Sequence, residues 1–517
     1  MIARIGLSKL WFLFGTAYFE KHFRRKTMKK LIALLLALVM VLGMVACGAK
    51  TDAPEADAPA ADAPAADAPA ADAPAADENT SEVELTEASG DVTTIRYFCT
   101  IGAYSALLFD EVDKWNQGEG KEKGVYIDIT HNINDGSSAI EMQMQAGNHW
   151  DIMQGSSQAW YNQGWLLDLL TIQDDYPELK ALIDSYMPYM YPGFCMKADG
   201  AITNLPLEQT PIKMAVNMRL LESAGKTLDD LKTWDGVVEV AQAITEANPG
   251  TAWGYGATTW SALFRRLTFK ESAASTETLW WDPATATYSF DQYEIPMKAM
   301  KTMYENGWML GLDDLAIDPI RAEFAAGKVG MFPAPAYDWS VYTNQFPCVD
   351  EFVFIDPPTY TGEALYKHMS NPVANISIDA VSWAEADEVK RQAIVDAFLF
   401  ISGDELNKTI YANAGIIPVK TEIMDGVELV ITENKEQWAQ MSDLQNYALV
   451  PPFPDGVIPL EGDNYATVMY AYMHGDVEWE DAVADLEERY NAAYQAAKED
   501  PDLDMSIYEF EWDHNLD

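Results

Sequence analysis

Cysteine is scarce, with four in 517 residues. Cys47, Cys99, Cys195 and Cys348 contain no Cys-x-x-Cys pair. With Cys47 set aside, an odd three remain, so no disulfide framework is expected and stability must come from a core. Positive charge is also short: 34 Lys and Arg face 81 Asp and Glu, for a net charge of −47. The first 46 residues hold eight basic residues and one acid, so the remainder carries −54. Such a surface repels phosphate backbones and anionic lipid heads, which excludes a nucleic-acid partner. The six histidines are scattered and form no His-Glu-x-x-His, and no Gly-x-Ser-x-Gly occurs. Gly225-Lys226-Thr227 lacks the upstream glycine of a phosphate loop, because Leu220 stands there. Asp500, Asp502, Asp504 and Glu511 have the spacing of a calcium loop, but Met505 replaces its turn glycine. Carboxylates are too abundant for any pair to be informative. No catalytic residue, metal or cofactor is assigned.

Long apolar runs are missing too. The run Leu31–Val45 falls short of the roughly 20 residues a membrane-spanning helix needs. It follows Met28-Lys29-Lys30 and ends in Met44-Val45-Ala46-Cys47. Basic head, apolar middle and small residue before the cut make a secretory signal. The cysteine after the small residue resembles a lipobox, which implies cleavage before Cys47 and a lipid on its sulfur. Residues 28–46 are therefore expected to be a lipoprotein signal peptide, and 1–27 a mis-assigned start or leader extension. From Asp57 to Ala76 the unit Asp-Ala-Pro-Ala-Ala repeats without error. Proline every fifth residue blocks a stable helix, and Ala and Asp cannot build a core. Residues 47–90 thus read as an extended tether, suited to reach through a Gram-positive wall.

Strand and helix patterns alternate from Asp91 onward. Thr93–Phe98 and Val125–Thr130 alternate as strands; Leu108, Val112 and Trp115 form a helix stripe; Asp151–Met153 reads as a strand end. This is the pattern of an α/β lobe with a mostly parallel sheet, whose ligands bind off the carboxyl ends of the strands.

Several motifs appear in one order. Ala146-Gly147-Asn148-His149-Trp150-Asp151-Ile152 precedes Gly164-Trp165-Leu166-Leu167-Asp168-Leu169. Asn204-Leu205-Pro206, Asn217–Gly225, Thr233-Trp234-Asp235, Phe324–Met331 and Gly415-Ile416-Ile417-Pro418 follow. Together they resemble family 1 extracellular solute-binding proteins, the maltose-binding-protein type that serves ABC importers. Trp150 departs from the family's usual proline, and Gly330 from its usual alanine.

The resemblance implies a two-lobed, periplasmic-binding-protein-like (type II) α/β fold over residues 91–517, with a hinge and a central ligand cleft. The first lobe is expected at about 91–207 and 312–366, the second at about 208–311 and 367–517. It implies a monomeric, non-enzymatic carrier, held to the outer face of the membrane by its lipid. The carrier delivers a carbohydrate or other small solute to ABC permease subunits. The 16 Trp and 25 Tyr supply rings for sugar faces.

Position within the family pattern selects Tyr104, Gln154, Ser156, Ser157, Trp160, Trp260, Tyr337 and Trp339 as ligand contacts. A cap role for Ser156 or Ser157 stands beside the ligand role. A secreted glycan hydrolase, or an adhesin without a small ligand, is the alternative reading.

Overall fold

The computed structural model describes residues 85–516, apart from 89, 102–103, 133–135, 191–194, 198, 259–267, 314 and 502. The expected leader, Cys47 and most of the tether lie outside these residues. The described part opens as the alternation predicts. β1 (Thr93–Cys99) and β2 (Val125–His131) are parallel, with Thr93 opposite Val125 and Cys99 opposite His131. Between them the helix Ser105–Gln117 buries Leu108, Val112 and Trp115. Spacing of three to four residues puts all three on the face turned to the sheet. β3 (Ile152–Gln154) joins β1 in parallel on its other side.

The next strand changes the architecture. β4 (Asn204–Asn217) runs for 14 residues, nearly all buried. After it come β5 (Trp253–Ala257), β6 (Met309–Gly311), β7 (Val329–Pro335), β8 (Phe352–Ile355), β9 (His368–Ile378), β10 (Ile417–Pro418) and β11 (Tyr447–Leu449). The sheet order is β2-β1-β3-β9-β4-β7-β5-β6, with β8 and β10 on β4 and β11 on β9. The outer strands are parallel within each half, and β4 and β9 cross between the halves antiparallel to each other. β4 pairs with β9 and β10 along its first part, then with β7 and β8 along its second. One strand therefore belongs to two sheets. The handover falls between Pro211, opposite Ser370 of β9, and Ile212, opposite Pro335 of β7; a register shift between Val373 and Ala374 lies within the first part, where a bulge bends and twists the ladder.

The buried side chains divide accordingly. The first core gathers Ile95, Tyr97, Val112, Ile127, Leu205 and Leu207 with Ile376, Ile394, Phe398 and Ile416. The second gathers Val216, Trp234, Val240, Tyr255, Trp280, Met300 and Met331 with Met469, Leu486 and Tyr494. Its other face holds Ala215, Phe324, Phe332, Trp339, Phe354 and Trp438. Burying one such large apolar side chain contributes about 1.5–3 kcal/mol.

This corrects the expected boundaries. Residues 312–366 do not return to the first lobe, because β7 is held between β4 and β5 in the second sheet. Residues 376–419 go to the first lobe instead, where the helix Glu388–Ile401 buries Ile394, Ala397, Phe398 and Ile401. The crossings are β4, which contains Pro206, and β9. Cys99 and Cys195 are buried and Cys348 partly so.

Candidate functional site

The carboxyl ends of β1 and β3 meet in a small polar platform. Gln154 ends β3, and its Oε1 accepts from the Thr100 backbone N–H at 2.7 Å and the Thr100 hydroxyl at 3.1 Å. Gly155 follows with φ +118°, and a Cβ there would meet the Trp160 ring at 3.1 Å. Glycine alone gives both that backbone turn and that approach. Ser377 of β9 donates to the Gly155 carbonyl at 2.9 Å. The Ser156 hydroxyl accepts from Lys197 Nζ at 2.6 Å and pairs with Thr203 at 3.1 Å. Burial lowers the Lys197 ammonium to about 8.

Of the sequence-derived candidates, Gln154, Ser156 and Ser157 thus come together with Trp160. Ser157 caps the short helix Gln158–Asn162, accepting from the Trp160 N–H at 3.1 Å. Trp160 itself is buried among Phe98, Ile140, Met153 and Trp165. Its place is below the platform, as packing.

Tyr104 stands apart from this group, half-buried ahead of the helix Ser105–Gln117. Burial and the hydrogen-bonded Glu208 carboxylate push its phenol well up. Glu208 lies on β4 opposite Val373 and Pro418, at the crossing.

In the second lobe Trp339 is packed away from any open face. Its indole N–H donates to the Asn434 carbonyl at 3.0 Å, and its ring meets Trp438 edge-on at 5.5 Å. The expected ligand role of Trp339 gives way to a core role. Tyr337 is half-buried, with the Arg321 guanidinium 5.4 Å from its ring centre. Arg321 also binds Asp338 at 2.5 Å, both side chains sealed from solvent. Burial pushes the Asp338 carboxyl up to about 6 against the pull of Arg321. Trp260 lies outside the described residues.

Where β4, β9 and β11 meet, sequence reasoning found nothing and the structure holds a charged cluster. Lys213 binds Asp356 at 2.9 Å and lies 4.6 Å from the centre of the Tyr447 ring. Tyr447 donates to the same Asp356 at 3.0 Å, and His368 stacks on it at 5.3 Å. Lys213 and His368 hold Asp356 below the usual carboxylate range despite its burial. Burial lowers His368 to about 4, so it is neutral at pH 7. Nearby, Glu271 ends the helical turn Phe269–Glu271, 2% exposed. Its Oε2 has no hydrogen-bond partner, and burial raises its carboxyl to about 8. Among the described residues no group of three His, Cys, Asp or Glu is placed to hold a metal.

The sequence profile of the bacterial extracellular solute-binding proteins matches residues 108–384. The chain belongs to this family. Its work is therefore outside the cytoplasm, and the family is one of binding proteins. No curated protein matches this solute-binding protein. Solved structures show the fold it shares. One is a substrate-binding protein of an ABC transporter from Listeria monocytogenes, in complex with cycloalternan. It is 16% identical, at TM-score 0.56, over 78% of this chain and 100% of its own. The sugar-binding protein MalE from Xanthomonas citri is 12% identical at TM-score 0.54, over 78% of this chain and 98% of its own. The GacH receptor of Streptomyces glaucescens, solved unliganded and with acarbose, is 15% identical at TM-score 0.57, over the same shares.

The cap role of Ser157 in this solute-binding protein has a measurable consequence. Ser157→Ala removes one acceptor from the helix N-terminus and is expected to cost about 1 kcal/mol. Thermal melting should shift down, while Ser157→Asp, which keeps an acceptor, should melt near the parent. A Ser157→Ala protein that melts unchanged would show that the cap contributes nothing.

Proposed function

We propose that this protein is the substrate-binding lipoprotein of an ABC importer and that its solute is a carbohydrate, taken as an oligosaccharide. The observation that carries this reading is the pair of cores joined through the shared strands β4 and β9. Polar groups on the first-lobe side, at the ends of β1 and β3, converge toward that junction. Structural neighbours solved with cycloalternan, raffinose and acarbose support the sugar class. The Gln154–Ser156 platform supplies hydroxyl partners on the first-lobe side, and Tyr104 and Tyr337 supply rings.

Binding is by hinge closure. A solute that touches both lobes stabilises the closed form through contacts absent when they part. No bond in the solute is broken. Cys47 carries the lipid that keeps the receptor beside its permease subunits.

The test is a thermal-shift screen of the full chain against mono- and oligosaccharides, with polyols and peptides as comparison. A shift of several degrees with one sugar class is expected, because a ligand at 100 times its Kd adds about 2.7 kcal/mol. If only a non-sugar solute shifts the melt, the carbohydrate reading falls and the importer reading stands. The tether is tested by mass spectrometry, where mature protein without lipid on Cys47 would refute it.

A further inference from the structure

Glu271 has no task in the fold described so far. It closes the turn Phe269–Glu271, which Phe269 anchors by stacking on Tyr293 at 3.9 Å. The turn packs against β4 and β9, the two strands shared by both lobes. Burying an acid without a hydrogen bond costs a few kcal/mol. A side chain of Met or Leu would fill similar space without that cost. Retention of an orphaned carboxyl at the junction of the lobes points to a partner that arrives from outside.

We propose that Glu271 is the second-lobe residue that reads the bound sugar, accepting hydrogen bonds from its ring hydroxyls as the lobes close. This rests on the carbohydrate reading above. A neutral carboxyl is a poor acceptor and a carboxylate a strong one. Sugar hydroxyls donate to the charged form and favour it, so binding drives a proton off Glu271. Among the described residues, the charged and titratable groups around it are few. Its own turn brings Lys270. Tyr255 of β5 and Tyr447 of β11 lie close enough for its charge to raise their phenols. Along β4 and β9 stand Glu208, Lys213 and His368, with Lys213 paired to Asp356. His368 is neutral and both phenols are protonated at pH 6–8, which leaves Glu271 to change charge there.

The sign follows from the raised carboxyl. Between pH 6 and about 8 the free protein holds the proton and the complex does not, so affinity increases with pH, by at most about tenfold per pH unit. The experiment is calorimetric titration of the full chain with raffinose, acarbose and cycloalternan, in phosphate and in Tris, from pH 6 to 8.5. For the sugar that binds, a fraction of a proton released per sugar is expected, together with the pH slope. Glu271→Gln should lose both and bind about tenfold more weakly at pH 8, while Glu271→Asp should keep the proton release. Sugar binding with no buffer-dependent heat, or a Gln variant with the parent's pH profile, overturns the assignment and leaves the carbohydrate reading intact. If the calorimeter registers no binding by any of the three and the wider screen finds no sugar, both readings fall together.

Discussion

Asp338→Ala is expected to destabilise the second lobe by about 3 kcal/mol, read as a lower midpoint in urea unfolding. The reason is the guanidinium it leaves behind. Arg321 is 1% exposed and its partner Asp338 is 0% exposed, with 2.5 Å between them. Removing the acid strands a charge that cannot reach water. The value sits at the lower end of the usual range because Asp318 still accepts from Arg321 at 3.1 Å. Removing both charges together should cost less than removing one. An Arg321→Met, Asp338→Leu double variant no less stable than Asp338→Ala alone is therefore expected, since an ion pair and a packed apolar pair are often close in energy. If Asp338→Ala unfolds like the parent, the pair is not carrying stability and Asp338 is free for a role toward ligand.

Gly254→Ala is expected to be comparably damaging, at about 3 kcal/mol or above, for a reason of shape alone. A Cβ at Gly254 would lie 2.1 Å from the Ala241 Cα and 2.2 Å from its carbonyl oxygen. Both are backbone atoms of the helix Trp234–Ala247, so no rotamer can relieve the clash. The helix would have to lift, and Val237, Val240, Ala241 and Ile244 would leave the core with it. Gly256→Ala is the internal control. Its nearest neighbours are side-chain ends, Val329 Cγ1 at 2.9 Å and Phe332 Cδ2 at 3.0 Å. Those can give way, and a loss of about 1 kcal/mol is expected there. Equal melting of the two variants would contradict the packing argument.

Those two glycines show how far the sequence could be read. The segment Trp253-Gly254-Tyr255-Gly256 is visible in the chain and forms a strand. The helix that makes Gly254 obligatory starts at the Thr233-Trp234-Asp235 motif, with Thr233 accepting from the Gly236 N–H. That the two touch is a tertiary fact. A local signal of this kind survived in the helix at 105–117, whose stripe is the buried one.

The candidate site was less legible because its residues compete with packing. Ser157 had two readings and the cap took it. Trp339 followed the right block, but Trp438, about 100 residues further on, supplies the wall it packs against. Nothing local announces such a neighbour. Glu271 and Lys213 gave no local signal, since burial rather than residue type distinguishes them. The exchange between 312–366 and 376–419 has the same origin. Pairing along β4 decides which half β7 and β9 each join, and that pairing is not visible in either strand alone.

That exchange also sets an order of events during biogenesis. The first core needs Ile394 and Phe398 to cover β1, which begins about 300 residues earlier at Thr93. A chain emerging from the ribosome cannot finish its first lobe until much of the second, from β4 to β9, has been synthesised. Contacts so distant in sequence close slowly, because loop entropy must be overcome before they form. Slow closure leaves the polypeptide threadable for most of its synthesis, which is the state a translocation channel requires. The β4–β9 crossing that joins the two cores is thus also what delays completion of the fold.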